Sequence, residues 1–228
     1  MQSPASSALP QYLRSCLVFG VVVALALVIS GRLLVPGTSL RSTMAASAIL
    51  LIYGGMAAFY PIRLHRRHPD ILRAATLIGL LAGAVFVAEI ALEYIFLPAD
   101  NSRYGRVEFG LVFFLYFASA CVSAFRWRSI KNAVLTSAAC AFIASLVWAI
   151  TVLAVFYAFR GSPRQELVLR AEGDYEDFAR SGMSDFNAFI MEDFLGAIFF
   201  HLSLGLLVAA VLGVLGGLLG KALTRFQK

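Results

Sequence analysis

Ala133–Phe159 reads AVLTSAACAFIASLVWAITVLAVFYAF, an unbroken apolar run without one charged residue. Wound as an α-helix at about 1.5 Å per residue, it is longer than the roughly 30 Å hydrocarbon core of a bilayer requires. It must therefore tilt or protrude. Five more apolar runs flank it: about Leu13–Leu34, ended by Pro36-Gly37; about Met44–Ile62, with Pro61 near its end; Thr76–Leu97, stopped at Pro98; Val107–Phe125; and about Asp193–Leu223. Proline at or just past an end is an expected stop, because it cannot continue the hydrogen-bond ladder.

The whole chain has the same character. Its 228 residues are 60% hydrophobic and 14% charged, with a mean hydropathy of +0.82. A soluble domain carries about 25% charged residues because its surface faces water. The expected fold class is all-α: one polytopic membrane domain of six transmembrane helices, with the lipid bilayer as its solvent.

Charge sets the expected orientation. Arg14 precedes the first run, Arg63, Arg66, Arg67 and Arg73 follow the second, Arg126, Arg128 and Lys131 follow the fourth, and Lys221, Arg225 and Lys228 close the chain. The short alternate connections hold only Arg32, Arg41, Arg103 and Arg106. The positive-inside rule then puts both termini in the cytoplasm. Tyr12, Tyr60 and Trp127 fall at the inner interface, and Tyr94, Tyr104 and Tyr157 at the outer one, as an aromatic belt requires. From Arg160 to Asp193, eight acids face four arginines, which suits an extracytoplasmic loop over 160–192. Ser184 is a good N-cap there, with Asp185 next on the positive helix end, and Phe186, Phe189, Ile190 and Phe194 recur at helical spacing. That segment is expected either to lie on the outer surface or simply to extend the last helix. Sixteen arginines against three lysines, with much Ala and Gly, point to a bacterial chain in the inner (plasma) membrane. The basic connections are expected to meet anionic lipid headgroups at the cytoplasmic face. The net charge of +6 lies between apolar runs, as membrane topology requires, and does not point to nucleic acid.

No cofactor is expected. Cys16, Cys121 and Cys140 each lie in a different apolar run with no paired spacing, so they read as small packing residues. His65-x-x-His68 near Asp70 has metal-ligand spacing but sits in an arginine-rich turn that suits headgroups better. Gly220-Lys221 lacks the P-loop's leading glycine and its Ser/Thr, and His201-Leu-Ser-Leu-Gly205 lacks half a nucleophile elbow. With no nucleophile-and-base pair readable, a lipid-directed enzyme is the least favoured reading.

The candidate site starts from Glu89 and Glu93 in VAEIALEYIF, Val87–Phe96. Their i, i+4 spacing puts both carboxylates on one helix face. Counting back from Pro98, Glu93 lies near the outer interface and Glu89 roughly 12 Å deeper than the outer end. His201, counted from Asp193, and Tyr116, counted from Val107, fall at about the depth of Glu89. Glu108, Glu192 and Asp193 mark the rim above. Intramembrane ionisable residues face the bundle interior or a water-filled cavity, so Glu89, Glu93, His201 and Tyr116 form a candidate site for protons or a cation. The plainer expectation has Glu93 reaching headgroups, Glu89 acting as interhelical glue and His201 packing.

A second feature is the small-residue ridge of the last run. Gly205, Ala209, Gly213 and Gly217 repeat at i, i+4, and Gly216 and Gly220 make another pair. Such ridges pack helices closely in lipid, either within the bundle or against a membrane-protein partner or second copy. Two functional expectations follow. One is a small transporter, channel-like or substrate-binding membrane subunit with a polar outward-facing site. The other is a structural or assembly subunit that uses its glycine faces.

Overall fold

The computed structural model describes residues 5–96 and 101–225. Its elements are α1 (Ala5–Leu34), α2 (Leu40–Arg67), α3 (Pro69–Phe96), α4 (Asn101–Trp127), α5 (Ile130–Phe159), α6 (Pro163–Glu172), α7 (Asp174–Ser181) and α8 (Phe186–Leu223). Six of these, all but α6 and α7, are long and apolar enough to cross a membrane. The chain is therefore an all-α, six-span bundle. Leu97, Pro98 and Lys228, and the side chains of Arg103 and Tyr104, lie outside the described residues. The alternating crossings put the α1–α2 and α3–α4 connections and the α6–α7 segment on one face, called here the acidic face. The α2–α3 and α4–α5 turns and both described ends share the opposite, basic face.

The helices overrun the apolar windows that mark them. α2 begins at Leu40 and runs past Pro61 to Arg67, α3 begins at Pro69, and α4 begins at Asn101. Hydropathy measures the lipid crossed, whereas the backbone ladder continues until a residue breaks it. His68, extended at φ −149°, precedes Pro69, whose ring disfavours the α conformation before it and suits the first turn of α3. Between α4 and α5, Arg128 takes φ +53°, and the Ser129 side chain then accepts a bond from the Asn132 amide. At the acidic face, Ser162 caps α6, and Gly173 at φ +88° ends it so that Asp174 can begin α7. The run Phe186–Phe194 forms the first turns of α8. Its rings pack under α7: Phe186 stacks on Tyr175 at 4.4 Å, and Phe178 meets Phe186 and Phe189 at 5.2 and 5.6 Å.

The charge-free helix is the axis. In α5, 67% of the apolar window is buried, against 39% or less in the other spans. α1, α3, α4 and α8 pack directly on it. From α2, Tyr53 sets its ring 4.8 Å from Phe142, and the Tyr60 hydroxyl donates to the Leu135 carbonyl at 3.1 Å. Small residues make these approaches possible. A Cβ at Gly79 would lie 2.9 Å from the Cys140 carbonyl oxygen, and one at Gly213 would lie 2.8 Å from Val134 Cα. A Cβ at Gly216 would lie 2.5 Å from the Phe117 carbonyl oxygen, and at Gly220 it would overlap that of Cys121. The ridge glycines of α8 thus seat against α4 and α5 within the chain. Across the acidic face, Glu192 accepts from the Ser39 amide at 2.8 Å and the Ser42 hydroxyl at 3.4 Å, tying α8 to the first turn of α2.

Backbone atoms cannot yield as a side chain can. Gly216→Val or Gly220→Val should therefore destabilise the purified protein by about 1–3 kcal/mol, read as a lower unfolding midpoint in detergent. Gly55→Val, where an added Cβ meets nothing within 4 Å, should leave that midpoint nearly unchanged.

Candidate functional site

Glu89 and Glu93 stand on the α3 face that turns toward α4 and α6, and both are half-buried. Glu108 of α4 meets them there. Only 7% exposed, it is the most deeply buried carboxyl among the described residues, and it lies close enough to Glu89 and Glu93 to feel both charges. Its position follows from the true start of α4. Asn101 begins that helix, so Glu108 lies seven residues from its start, roughly 10 Å along the axis. From above, α6 brings Glu172 into hydrogen-bonding reach of Glu93. The Arg164 side chain helps to hold α6 there by donating to the Tyr94 carbonyl at the end of α3. Four carboxyls from three helices thus converge. Asp193 stays exposed, and Glu192 is engaged in capping α2.

Two carboxyls can share a hydrogen bond only if one of them carries the proton. Loss of hydration and the nearby charge of Glu93, together with their mutual hydrogen bond, hold Glu172 well above the usual carboxylate range, so the pair shares a proton. Asp174, at the start of α7, is pushed up to about 6, first by loss of hydration and then by Asp193, Asp177, Glu176 and Glu93.

His201 has different company. Its ring stacks on Trp148 with centroids 3.9 Å apart and planes 17° from parallel, and it touches Phe109 at 5.9 Å and Phe86 at 6.5 Å. Together with Tyr116, Ser145 and Gly205, it lines a cavity of about 150 Å³. Glu89 is not part of that lining, and no hydrogen bond or ion pair among the described residues joins it to His201. The four sequence candidates therefore fall into two groups: Glu89 and Glu93 in the carboxyl cluster, His201 and Tyr116 in the aromatic cavity. The two are stacked. Phe86 lies one turn from Glu89 on α3 and Phe109 follows Glu108 on α4, so the helices that carry the acids also wall the imidazole. The four carboxyls lie near enough to feel one another's charge, yet among the described residues no three His, Cys, Asp or Glu side chains are close enough to hold one metal ion.

Comparison of the chain with protein-family models, with characterised proteins and with solved structures finds no match.

Sequence reasoning placed Glu108 at the rim and did not single out Glu172, Asp174 or Trp148. The density of acids in 166–177 was the available signal for the second and third of these. Trp148, inside an apolar run, carried none.

The arrangement has a pH consequence whose sign is fixed. A carboxyl raised in the fold binds its proton more tightly there than in an opened segment, so its contribution to stability falls as pH climbs from the ordinary carboxylate value through about 6. Amide exchange in α6 and α7, corrected for intrinsic rate, should accordingly be slower at about pH 4.5 than at about pH 7.5. Asp174→Asn should flatten that difference; equal protection at both pH values in the unmodified protein would contradict it.

Proposed function

We propose that this chain is a small transporter or channel-like membrane subunit that takes up protons or a cation at its acidic face, and that this face is the outer one. The observation that carries the reading is the convergence of Glu89, Glu93 and Glu108 from two spans beneath Glu172 of α6. Carboxyls gathered inside the apolar thickness cost free energy that a purely structural helix contact does not need, because an interhelical hydrogen bond in lipid contributes only about 1 kcal/mol. Exchange of a shared proton for a cation is chemistry such a cluster can perform. The neighbouring cavity sets the polar groups of Tyr116, Ser145 and His201 among mainly apolar walls. Aromatic rings on either side of the imidazole suit cation passage, since their faces carry negative potential. The competing reading, an assembly subunit, rests on free glycine faces, and those of α8 are occupied by α4 and α5.

The test is flux in proteoliposomes loaded with a pH-sensitive dye, with potassium or sodium gradients as separate arms. Glu108→Gln and Glu89→Gln should each reduce flux by about 10-fold or more while yield and monodispersity stay unchanged. Flux unchanged in both variants would end the proposal. Loss of folded protein in both would return the cluster to a structural role.

A further inference from the structure

A large cavity lies among the described residues at the opposite, basic face. It holds about 570 Å³ and is bounded by Tyr60, Arg63, Leu64, Arg66, Arg67 and His68 of α2 and its C-terminal cap, with Lys131 and Leu135 from the first turns of α5. Its charge is one-sided: three guanidiniums and an ammonium, with no acid in the lining. The nearest acid along the chain, Asp70, is turned toward Arg126 at 3.5 Å. Lys131 sits on the opening turn of α5, where unpaired backbone amides and the helix dipole add positive potential. The walls, by contrast, are chiefly apolar, with Leu64 buried and Leu135 half-buried. The Tyr60 ring stays fixed because its hydroxyl is bonded to the Leu135 carbonyl.

A cationic rim over an apolar wall, where two spans leave the bilayer, matches one class of ligand. A soluble anion would use the rim and gain nothing from the wall. A zwitterionic lipid would use the wall and bring its own cation against the arginines. We infer that this cavity is a binding site for the phosphate headgroup of an anionic phospholipid, and that a headgroup carrying two negative charges fills it better than one carrying a single charge. Arginine supplies paired N–H donors to phosphate oxygens, and basic pockets between spans at a membrane surface are built for such headgroups. The site is remote from the carboxyl cluster and does not depend on the proposed function.

The experiment uses the full chain in detergent. Unfolding midpoint and native mass spectra are recorded with added cardiolipin, phosphatidylglycerol or phosphatidylcholine, and with glycerol 3-phosphate and inorganic phosphate as soluble arms. The midpoint should rise most with cardiolipin, less with phosphatidylglycerol, and not with phosphatidylcholine or either soluble anion. Arg63→Gln combined with Lys131→Gln, one residue from each wall, should weaken cardiolipin binding by about 10-fold or more. Arg14→Gln combined with Arg225→Gln removes the same charge from outside the cavity and should leave binding near its original strength. Equal losses in the two double variants would reduce the effect to general surface charge and overturn the site. An equal shift with glycerol 3-phosphate or inorganic phosphate would overturn the lipid assignment.

Discussion

Close approach of helix backbones around α5 is the constraint on which the rest of this structure depends. In lipid, two apolar helices gain nothing by hiding from the solvent, since the solvent is as apolar as they are. What remains is dispersion, which falls away steeply with a fraction of an ångström, and a few hydrogen bonds in a low dielectric. The sequence meets that constraint with Gly79 and Gly83 on α3, Gly213 and Gly217 on α8, and the α5 surface that receives them, where Cys140, Val147, Val134 and Ala133 make the closest contacts. Hydroxyls are threaded through the same contacts. Thr136 donates to Ser123 at 2.9 Å, and Tyr53 donates to the Leu202 carbonyl at 2.9 Å. Each saturates a polar group that would otherwise face hydrocarbon.

The carboxyl cluster inverts that economy. Along most of the bundle, polar atoms are small and satisfied within a turn or by the next helix. At the acidic face, ionisable groups from α3, α4 and α6 are instead brought near one another, and only a retained proton relieves them. The relief comes from outside the membrane. Glu172, at the last turn of α6, shares a proton with Glu93, and Gly173 ends α6 at that point. The short helices between α5 and α8 therefore belong to the site's electrostatics as much as to its cover.

The spans were legible because a bilayer imposes one crude rule, and α5 obeys it without exception. The helix ends were less so, since they are decided by single residues: Pro69, Ser129 with Arg128 before it, and the glycines of the α5–α8 connection. Glu108 stands at the edge of the apolar run, yet it is buried near Glu89 and Glu93 of α3, and a count along α4 gives depth, not burial. Matched depth also says nothing about azimuth. Residue counting gives Glu89 and His201 one level, yet α3 turns Glu89 toward Glu108 while α8 sets His201 on Trp148 and beside Phe86. Which face meets which neighbour is set by packing around α5, and no local pattern encodes it.

The position of the glycines along the chain also orders the bundle's assembly. α3 and α4 precede α5 in the chain, so their small-residue faces are made before the helix that covers them. α5 supplies the axis, but the α4 surface around Phe117 and Cys121 and the α5 surface around Val134 stay open until Gly213, Gly216 and Gly220 arrive last of all. A chain stalled before α8 would present those surfaces to lipid or to a neighbour. In packing terms α8 acts as the latch across α4 and α5.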